Sequence, residues 1–98
     1  MESEQDYWVY IIRCADGSYY TGCTYDLQQR LKAHKEGRAA EYTARRRPLN
    51  LVYCEKCRTM DTARQRERQI KRWTKEKKEA LINGDIAGLK ALSKRRVS

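Results

Sequence analysis

Short apolar runs separated by turn residues open the chain and predict a β-hairpin. Residues 8–14 are aromatic and β-branched, which is typical of a strand. The Asp16-Gly17 pair then favours a tight turn, and residues 19–23 return as a second strand. The start of the chain is therefore predicted to form two antiparallel strands.

The turn of this hairpin decides which sheet faces its tyrosines occupy. A two-residue turn would place Tyr20 on the opposite face from Tyr10. A three-residue loop of residues 15–17, with Gly17 in the left-handed region, pairs Ile12 with Tyr20 and puts both tyrosines on one face. The sequence leaves both registers open, and the chemistry considered below requires the second.

Capping residues and glycines mark the element that follows. Asp26 caps a helix, Gln29 completes a variant of the capping box, and Gly37 ends the helix. A basic loop of residues 37–48 leads to a third strand at residues 49–54, which is apolar and β-branched.

Three further helices are predicted after the third strand. Asp61 caps a helix that runs to about Trp73. Thr74 caps another that ends near Gly84, and Asp85 starts a short last helix.

The element order ββαβααα predicts an α+β fold, in which helices flank one three-stranded antiparallel sheet. A single domain would span residues 7–92. We expect a flexible N-terminus at residues 1–6 and a basic tail at residues 93–98.

Charge narrows the classes of partner. The 98 residues include 22 Lys and Arg against 13 Asp and Glu, a net charge of +9. This excess favours DNA, RNA or an anionic membrane surface, although a basic surface that only keeps the protein soluble stays an alternative. No run approaches the roughly 18 apolar residues of a membrane span. The acidic, polar start does not resemble a signal peptide, so we expect the cytoplasm.

Four cysteines raise the question of zinc. Cys54 and Cys57 have the spacing of a chelating pair, and a zinc-dependent interaction domain is one hypothesis for the chain. However, Cys14 and Cys23 do not form a second such pair, and Cys54 is predicted to end a strand. Free, partly buried thiols are the main expectation.

Two polar residues of the first helix lie where apolar residues are expected. Leu27 and Leu31 define its inward stripe, and His34 and Arg30 lie on or beside that stripe. An Arg whose stem packs while its head reaches water, and a core His with a satisfied hydrogen bond, are the alternatives. Together, facing a tyrosine-rich hairpin, the two residues indicate a site.

The helix after Asp61 contains a similar anomaly. Glu67 follows Ala63 by one turn and lies on the shoulder of the predicted buried stripe. A carboxylate there must be paired or must bind a cation. A salt bridge to Arg64 or Lys71 and a metal ligand are both open.

Phosphodiester hydrolysis fits these residue types. A tyrosine could deprotonate water only if nearby positive charge lowered its pKa. Arginine binds phosphate with a forked pair of donors, and one glutamate can hold Mg²⁺ together with waters and substrate oxygens. Serine–histidine hydrolysis is disfavoured because the only histidine, His34, has no serine at a strained turn to act with. The sequence also lacks a glycine-rich phosphate loop.

The order of these residues resembles the GIY-YIG nuclease superfamily. Residues 8–10, the stretch 20–22, then Arg30, His34 and a later helical Glu67 carry the resemblance. It covers residues 7–82 and is strongest for the small stand-alone bacterial branch, which residues 14–18 and 42–48 also resemble. Only the tyrosines and the glycine of the name motif are kept, since Trp-Val replaces Gly-Ile and Thr replaces the second Ile.

The resemblance implies hydrolysis of DNA with a single Mg²⁺ or Mn²⁺ ion. Tyr10 would match the general base, Tyr20 the tyrosine that orients water or phosphate, and Arg30 the arginine that stabilises phosphate. His34 would match an accessory histidine and Glu67 the protein ligand of the ion.

A late asparagine and the substrate preference are less constrained. Asn83 could match a family asparagine or only cap a helix before Gly84. DNA is preferred over RNA, with branched or damaged DNA as a candidate, and the sequence does not fix the oligomeric state. The main alternative is a DNA- or RNA-binding module that kept the fold without catalysis.

Basic residues outside the site are candidates for binding nucleic acid, because the chain carries no separate DNA-targeting region. The predicted contacts are Arg45, Arg46, Arg47, Lys71, Arg72 and Lys75. If six such cations touch phosphates, affinity should fall on the order of 10³-fold between 50 and 200 mM salt.

Overall fold

The computed structural model describes residues 6–95, with no account of the side chains from residue 93 onward. In chain order the elements are β1 (Tyr7–Arg13), β2 (Tyr19–Thr24), α1 (Leu27–Lys35), α2 (Glu41–Ala44), β3 (Asn50–Cys57), α3 (Met60–Lys71), α4 (Lys75–Ile82) and α5 (Ile86–Arg95). The predicted α+β class is confirmed, and α2 is an additional single turn within the predicted basic loop. Of the predicted terminal segments, residues 1–5 and 96–98 lie outside the described residues.

The sheet has the order β2-β1-β3 and is antiparallel throughout, so β1 is the central strand. Ile12 pairs with Tyr20 and Tyr10 with Gly22. Gly17 has a φ of 86°, and the N–H of Cys14 donates to the carbonyl of Ser18 at 2.8 Å. The three-residue loop is therefore the one formed, and Tyr10 and Tyr20 share a face.

Helices cover both faces of the sheet. On one face, Val9 and Ile11 of β1 pack against Ala63 and Ile70 of α3. On the other face, Tyr10 and its neighbours pack against the apolar stripe of α1. Because β1 is buried on both sides, it is an unbroken apolar run rather than an alternating one.

Local capping confirms two predicted helix starts and corrects the third. The side chains of Asp26 and Thr74 accept the expected backbone N–H groups at the starts of α1 and α4. Helix α3, however, is capped by Thr59, whose hydroxyl oxygen accepts the N–H of Thr62 at 3.0 Å. The prediction of Asp61 as cap is wrong, because a Thr that suits the cap lies two residues earlier and leaves Asp61 in the first turn.

Strand β3 is longer than predicted and continues past Cys54 to Cys57. From Tyr53 to Cys57 it pairs regularly with β1, so Cys54 and Cys57 point to opposite faces. Cys14 is buried in the α1-side core, whereas Cys57 belongs to the α3-side core. Among residues 6–95, no three His, Cys, Asp or Glu side chains are grouped to hold a metal ion.

In the part of the chain that the structure describes, every helix is too short or too polar to cross a bilayer.

Candidate active site

Tyr10 lies across Gly22 at the centre of the hairpin. The tyrosine is 0% exposed. A Cβ atom on Gly22 would lie 2.5 Å from the Tyr10 hydroxyl oxygen, closer than any packed side chain tolerates. A glycine on the edge strand β2, covered by an aromatic ring from the neighbouring strand, is thus what allows the Tyr10 hydroxyl to reach its position.

A chain of hydrogen bonds leads from Tyr10 through α1 to α2. The Tyr10 hydroxyl lies 2.9 Å from Nε2 of His34, and Nδ1 of His34 lies 2.8 Å from Oγ1 of Thr43. Oγ1 of Thr43 also lies 3.2 Å from the carbonyl oxygen of Ala40, to which it donates. His34 and Thr43 are 1% and 0% exposed, so this polar chain is shielded from water.

Burial sets the protonation of the tyrosine and the histidine. It is the largest influence on the pKa of Tyr10, which it raises above the usual value, and the neighbouring Tyr20 acts in the same direction. The charge of Arg30 lowers that pKa without offsetting burial. Burial, with Arg30 second, lowers the pKa of His34 to about 4. At neutral pH both groups are therefore uncharged. The positive charge of Arg30 alone does not lower the pKa of Tyr10 enough to make it a base.

Arg30 lies on the exposed side of α1 with its guanidinium beside the Tyr10 hydroxyl. It also lines an open cleft of about 330 Å³, together with Tyr25 and Arg38. Tyr25 is 58% exposed at this cleft. The predicted phosphate-binding arginine thus interacts with the buried Tyr10 hydroxyl and also lines an open cleft.

Tyr20 and Tyr42 extend the site towards the hairpin turn. The Tyr20 ring lies 5.2 Å from the His34 ring and 6.0 Å from the Tyr42 ring, centroid to centroid. The Arg46 guanidinium lies 3.8 Å over Tyr42 and pairs with the Asp16 carboxylate at 3.1 Å. Arg46 therefore ties α2 to the hairpin and supports the aromatic wall. The sequence predicted a DNA contact for this residue, and that stays a prediction.

Glu67 approaches from the other layer. The Cys23 thiol donates to Oε1 of Glu67 at 3.1 Å, and Nζ of Lys71 lies 2.9 Å from Oε2. The Glu67 side chain is 18% exposed. Burial raises the pKa of Cys23 to about 11, and the hydrogen bond to Glu67 adds to this effect, so the thiol keeps the proton it donates. Of the two salt bridges considered from sequence, the one to Lys71 is formed.

The predicted groups lie on both sides of the sheet rather than on one face. Tyr10, Tyr20 and His34 lie on the α1 side, whereas Glu67 belongs to α3 on the other side. Strand β2 is the outermost strand, and its Cys23 contacts Glu67. The carboxylate is therefore on the opposite side of edge strand β2 from Tyr10 and Tyr20.

Comparison with known proteins identifies the family of this arrangement. Residues 6–80 match the family model described as the GIY-YIG catalytic domain. The chain belongs to the GIY-YIG family. A UPF0213 protein of Bacillus pumilus (strain SAFR-032) is 46% identical over 82 residues, which cover 84% of this chain and 83% of the relative. A UPF0213 protein of Staphylococcus aureus (strain Mu3) is 46% identical over 76 residues, covering 78% and 93%.

Solved structures support the same GIY-YIG assignment. The solution NMR structure of a UPF0213 protein from Bacillus halodurans has a TM-score of 0.54 and 38% identity, covering 82% of this chain and 85% of that one. A second solution NMR structure, of a protein from E. faecalis, has a TM-score of 0.59 and 35% identity, with 86% and 90% coverage. The resemblance noted in the sequence is thereby confirmed at the level of family and fold.

Two of the candidate DNA-binding arginines of this GIY-YIG domain make local contacts. Arg45 forms an exposed salt bridge to Glu41 at 2.7 Å. Arg47 donates to the carbonyl oxygens of Ala44 and Lys35, at the ends of α2 and α1. Both remain exposed, so these contacts leave surface for a phosphate but make the arginines part of the loop's own structure.

The basic candidates at and after the end of α3 make different contacts. Arg72 lines a groove of about 450 Å³ beside Trp73 and Lys77. Trp73 packs against the core with Nζ of Lys77 4.4 Å from its ring centroid, so its role is structural at least in part. Nζ of Lys75 lies 5.8 Å from the Tyr19 ring. Lys71 differs from these because it pairs with Glu67.

Asn83 is the exposed C-cap of α4, and its backbone N–H reaches the carbonyl oxygen of Glu79 at 2.9 Å. Gly84 follows with a φ of 70°. These are the contacts of a helix end, the structural alternative that sequence analysis had named.

Thr43 and Cys23 belong to the site although the sequence did not indicate either residue. Thr43 lies in the stretch that resembles the family, but nothing in the spacing predicts contact with a histidine nine residues away. Cys23 follows Gly22 directly, and only its predicted place on a strand hinted that it could face a helix.

Proposed function

We propose that this protein is a metal-dependent endonuclease that hydrolyses phosphodiester bonds in DNA with a single divalent ion. The observation that carries the proposal is the buried Tyr10 hydroxyl, hydrogen-bonded to a neutral His34 and flanked by Arg30 at an open cleft. Membership of the GIY-YIG family supports the reaction class. DNA rather than RNA follows from the family resemblance, with branched or damaged DNA as the candidate substrate.

Tyr10 acts as base together with His34. Because burial keeps the tyrosine protonated, a free phenolate is disfavoured. As the attacking water gives its proton to the Tyr10 oxygen, the original Tyr10 proton moves to Nε2 of His34, 2.9 Å away. The water oxygen keeps the electron pair and forms the new bond to phosphorus, while the leaving oxygen takes its electron pair and receives a proton from solvent.

Arg30 stabilises the negative charge on the phosphoryl oxygens. Arg30 interacts with the Tyr10 hydroxyl and also lines the cleft, so a phosphate bound by Arg30 would lie near the base. Planar donors aimed at the phosphoryl oxygens are worth more in a site where one wall is buried. Tyr20, packed on His34, positions the phosphate from the same face.

Glu67 is the protein ligand that Mg²⁺ or Mn²⁺ would use. One carboxylate fits the habit of Mg²⁺, which fills its remaining positions with water and substrate oxygens. The carboxylate is partly exposed and has one oxygen held by the Cys23 thiol, while Lys71 occupies the other. When bound, the ion supplies positive charge that offsets the charge developing on the phosphoryl group. Lys71 competes with the ion for the same oxygen.

Plasmid nicking tests the proposal. Supercoiled DNA is incubated with Mg²⁺ or Mn²⁺ and with wild type, Tyr10→Phe, Glu67→Gln or the control Tyr53→Phe. Tyr53 lies on β3 and bonds to Glu55, away from Tyr10. We expect nicking to fall about 100-fold or more for the two site variants and to stay unchanged for the control. Equal nicking by all four proteins would show contamination and overturn the proposal.

A non-catalytic nucleic-acid-binding module is the second candidate. It is favoured by the complete burial of Tyr10 and by the ion pair that occupies Glu67. If wild type binds DNA with a steep salt dependence and nicks it with neither ion, this candidate replaces the first. The roughly 10³-fold loss of affinity between 50 and 200 mM salt is common to both.

A further inference from the structure

We infer that Thr43 is a positioning residue that fixes His34 in the tautomer with its proton on Nδ1, so that Nε2 is the atom that accepts the Tyr10 proton. This inference rests on the proposed function and names the group that gives its proton transfer a direction. Thr43 touches neither the substrate nor the reacting atoms, and acts only through His34.

The donors and acceptors of the buried chain can be assigned by counting protons. The hydroxyl of Thr43 has one proton, which it donates to the carbonyl oxygen of Ala40. Its oxygen is then the acceptor for Nδ1–H of His34 at 2.8 Å. Nε2 carries a lone pair and accepts the Tyr10 hydroxyl at 2.9 Å. Every polar hydrogen of the chain has an acceptor.

The opposite tautomer leaves a proton without an acceptor. If Nε2–H donated to Tyr10, the Tyr10 hydroxyl would need another acceptor inside a site that is 0% exposed. Besides His34, its hydrogen-bonding neighbour among the described residues is Arg30, which is a donor only. A buried hydroxyl without an acceptor is costly, so the first arrangement is favoured.

The single turn α2 places Thr43 beside His34. Arg46 and Arg47 hold this segment to the hairpin turn and to the end of α1. The segment is therefore fixed at the height of His34, where one hydroxyl can select its tautomer. A hydrogen bond to the remote ring nitrogen is the general way in which proteins set which nitrogen of a histidine reacts.

The chain contains one histidine, so nitrogen-15 NMR reports the tautomer without assignment work. We expect the wild-type protein at neutral pH to show a protonated Nδ1 and an unprotonated Nε2. Thr43→Ser keeps the hydroxyl and should give the same spectrum. Thr43→Val has nearly the shape of threonine but no hydroxyl acceptor, and should shift the proton towards Nε2 or mix the two forms.

Nicking gives the second readout. Thr43→Val should lower kcat by about 10- to 100-fold with little change in KM for DNA, and Thr43→Ser should restore activity to within a few fold of wild type. A thermal melt of each variant checks the fold. A loss shared equally by Ser and Val would contradict the positioning role.

The two proposals fail separately. Wild type with its proton on Nε2 overturns the inference about Thr43, whatever the nicking assay shows. An unchanged spectrum in Thr43→Val overturns it as well. If wild type has the proton on Nδ1 and the Val variant does not, yet no protein nicks DNA, the tautomer assignment is supported and the nuclease function is the part that fails.

Discussion

The two faces of the sheet are built from different kinds of core. On the α3 side, Val9 and Ile11 meet Ala63 and Ile70, and all four side chains are apolar and 0% exposed. On the α1 side, equally buried positions hold polar groups that bond to each other in a chain. One strand, β1, supplies both faces, so the difference comes from the helices packed on it. The layer on the α3 side mainly stabilises the fold, whereas the layer on the α1 side uses burial to keep its polar groups in fixed hydrogen bonds.

The largest expected effect tests the apolar layer. Ile70→Ala removes a fully buried side chain from the centre of the α3 side and should lower the free energy of unfolding by roughly 2–5 kcal/mol. Urea unfolding followed by circular dichroism measures it. Just below the midpoint, the hydrogen bonds of the α1 side should still be intact. If these hydrogen bonds are lost together with the α3 packing, and the free energy of unfolding equals that of wild type, the division of roles is wrong.

The next effect belongs to the polar layer and depends on pH. The folded pKa of His34 lies at about 4, below its usual value of 6.5, so the fold favours the neutral ring. The resulting stability is complete above about pH 6.5 and is lost as pH falls towards 4, on the order of 3 kcal/mol in total. His34→Gln keeps hydrogen-bonding groups without this titration. The pH dependence of wild type minus that of the variant should show the loss, and parallel curves would contradict it.

A smaller effect on stability should accompany a large one on activity at Gly22. Gly22→Ala forces the Tyr10 ring to move, since the new methyl group would meet its hydroxyl at 2.5 Å. We expect a loss of about 1–3 kcal/mol in stability and at least 10-fold in nicking. Gly84→Ala offers a matched comparison, because a φ of 70° strains the backbone of an alanine while open space surrounds its methyl group. Full activity in Gly22→Ala would show that the Tyr10 position is not needed.

The smallest effect is predicted for Lys71. Its ion pair with Glu67 joins a half-exposed ammonium to a mostly buried carboxylate on one helix, and Lys71→Met should change the free energy of unfolding by less than about 1 kcal/mol. The same substitution should strengthen Mn²⁺ binding, measured by electron paramagnetic resonance, because it removes a competitor for the carboxylate. Weaker binding would mean that Lys71 positions the Glu67 carboxylate for the ion.

Local rules predicted most of the fold. The caps at Asp26 and Thr74 depend on neighbours within a few residues, and each is found. The hairpin itself is also found, but its register, with Tyr10 and Tyr20 on one face, was one of two that the sequence left open. Thr59 and Asp61 are both good caps, so composition alone could not choose between them.

The site was harder to predict because its contacts are long-range. A helix wheel gave the inward side of α3 but not the sheet face that α3 covers, so the sequence did not show that Glu67 lies on the other side of the sheet from the tyrosines. Thr43 belongs to a single turn with no periodicity to recognise. Thr43 belongs to the site because it contacts His34, and the two residues are close only because α2 packs against α1.

The outermost position of β2 has a mechanical consequence. The Glu67 carboxylate and the tyrosine hydroxyls come from layers that are separated by the thickness of the sheet. Strand β2 contacts both layers and so sets their relative position. A slight twist of that strand alters their spacing while both layers remain packed. Under the proposed function, low concentrations of urea should therefore abolish nicking well before the circular dichroism of the protein changes.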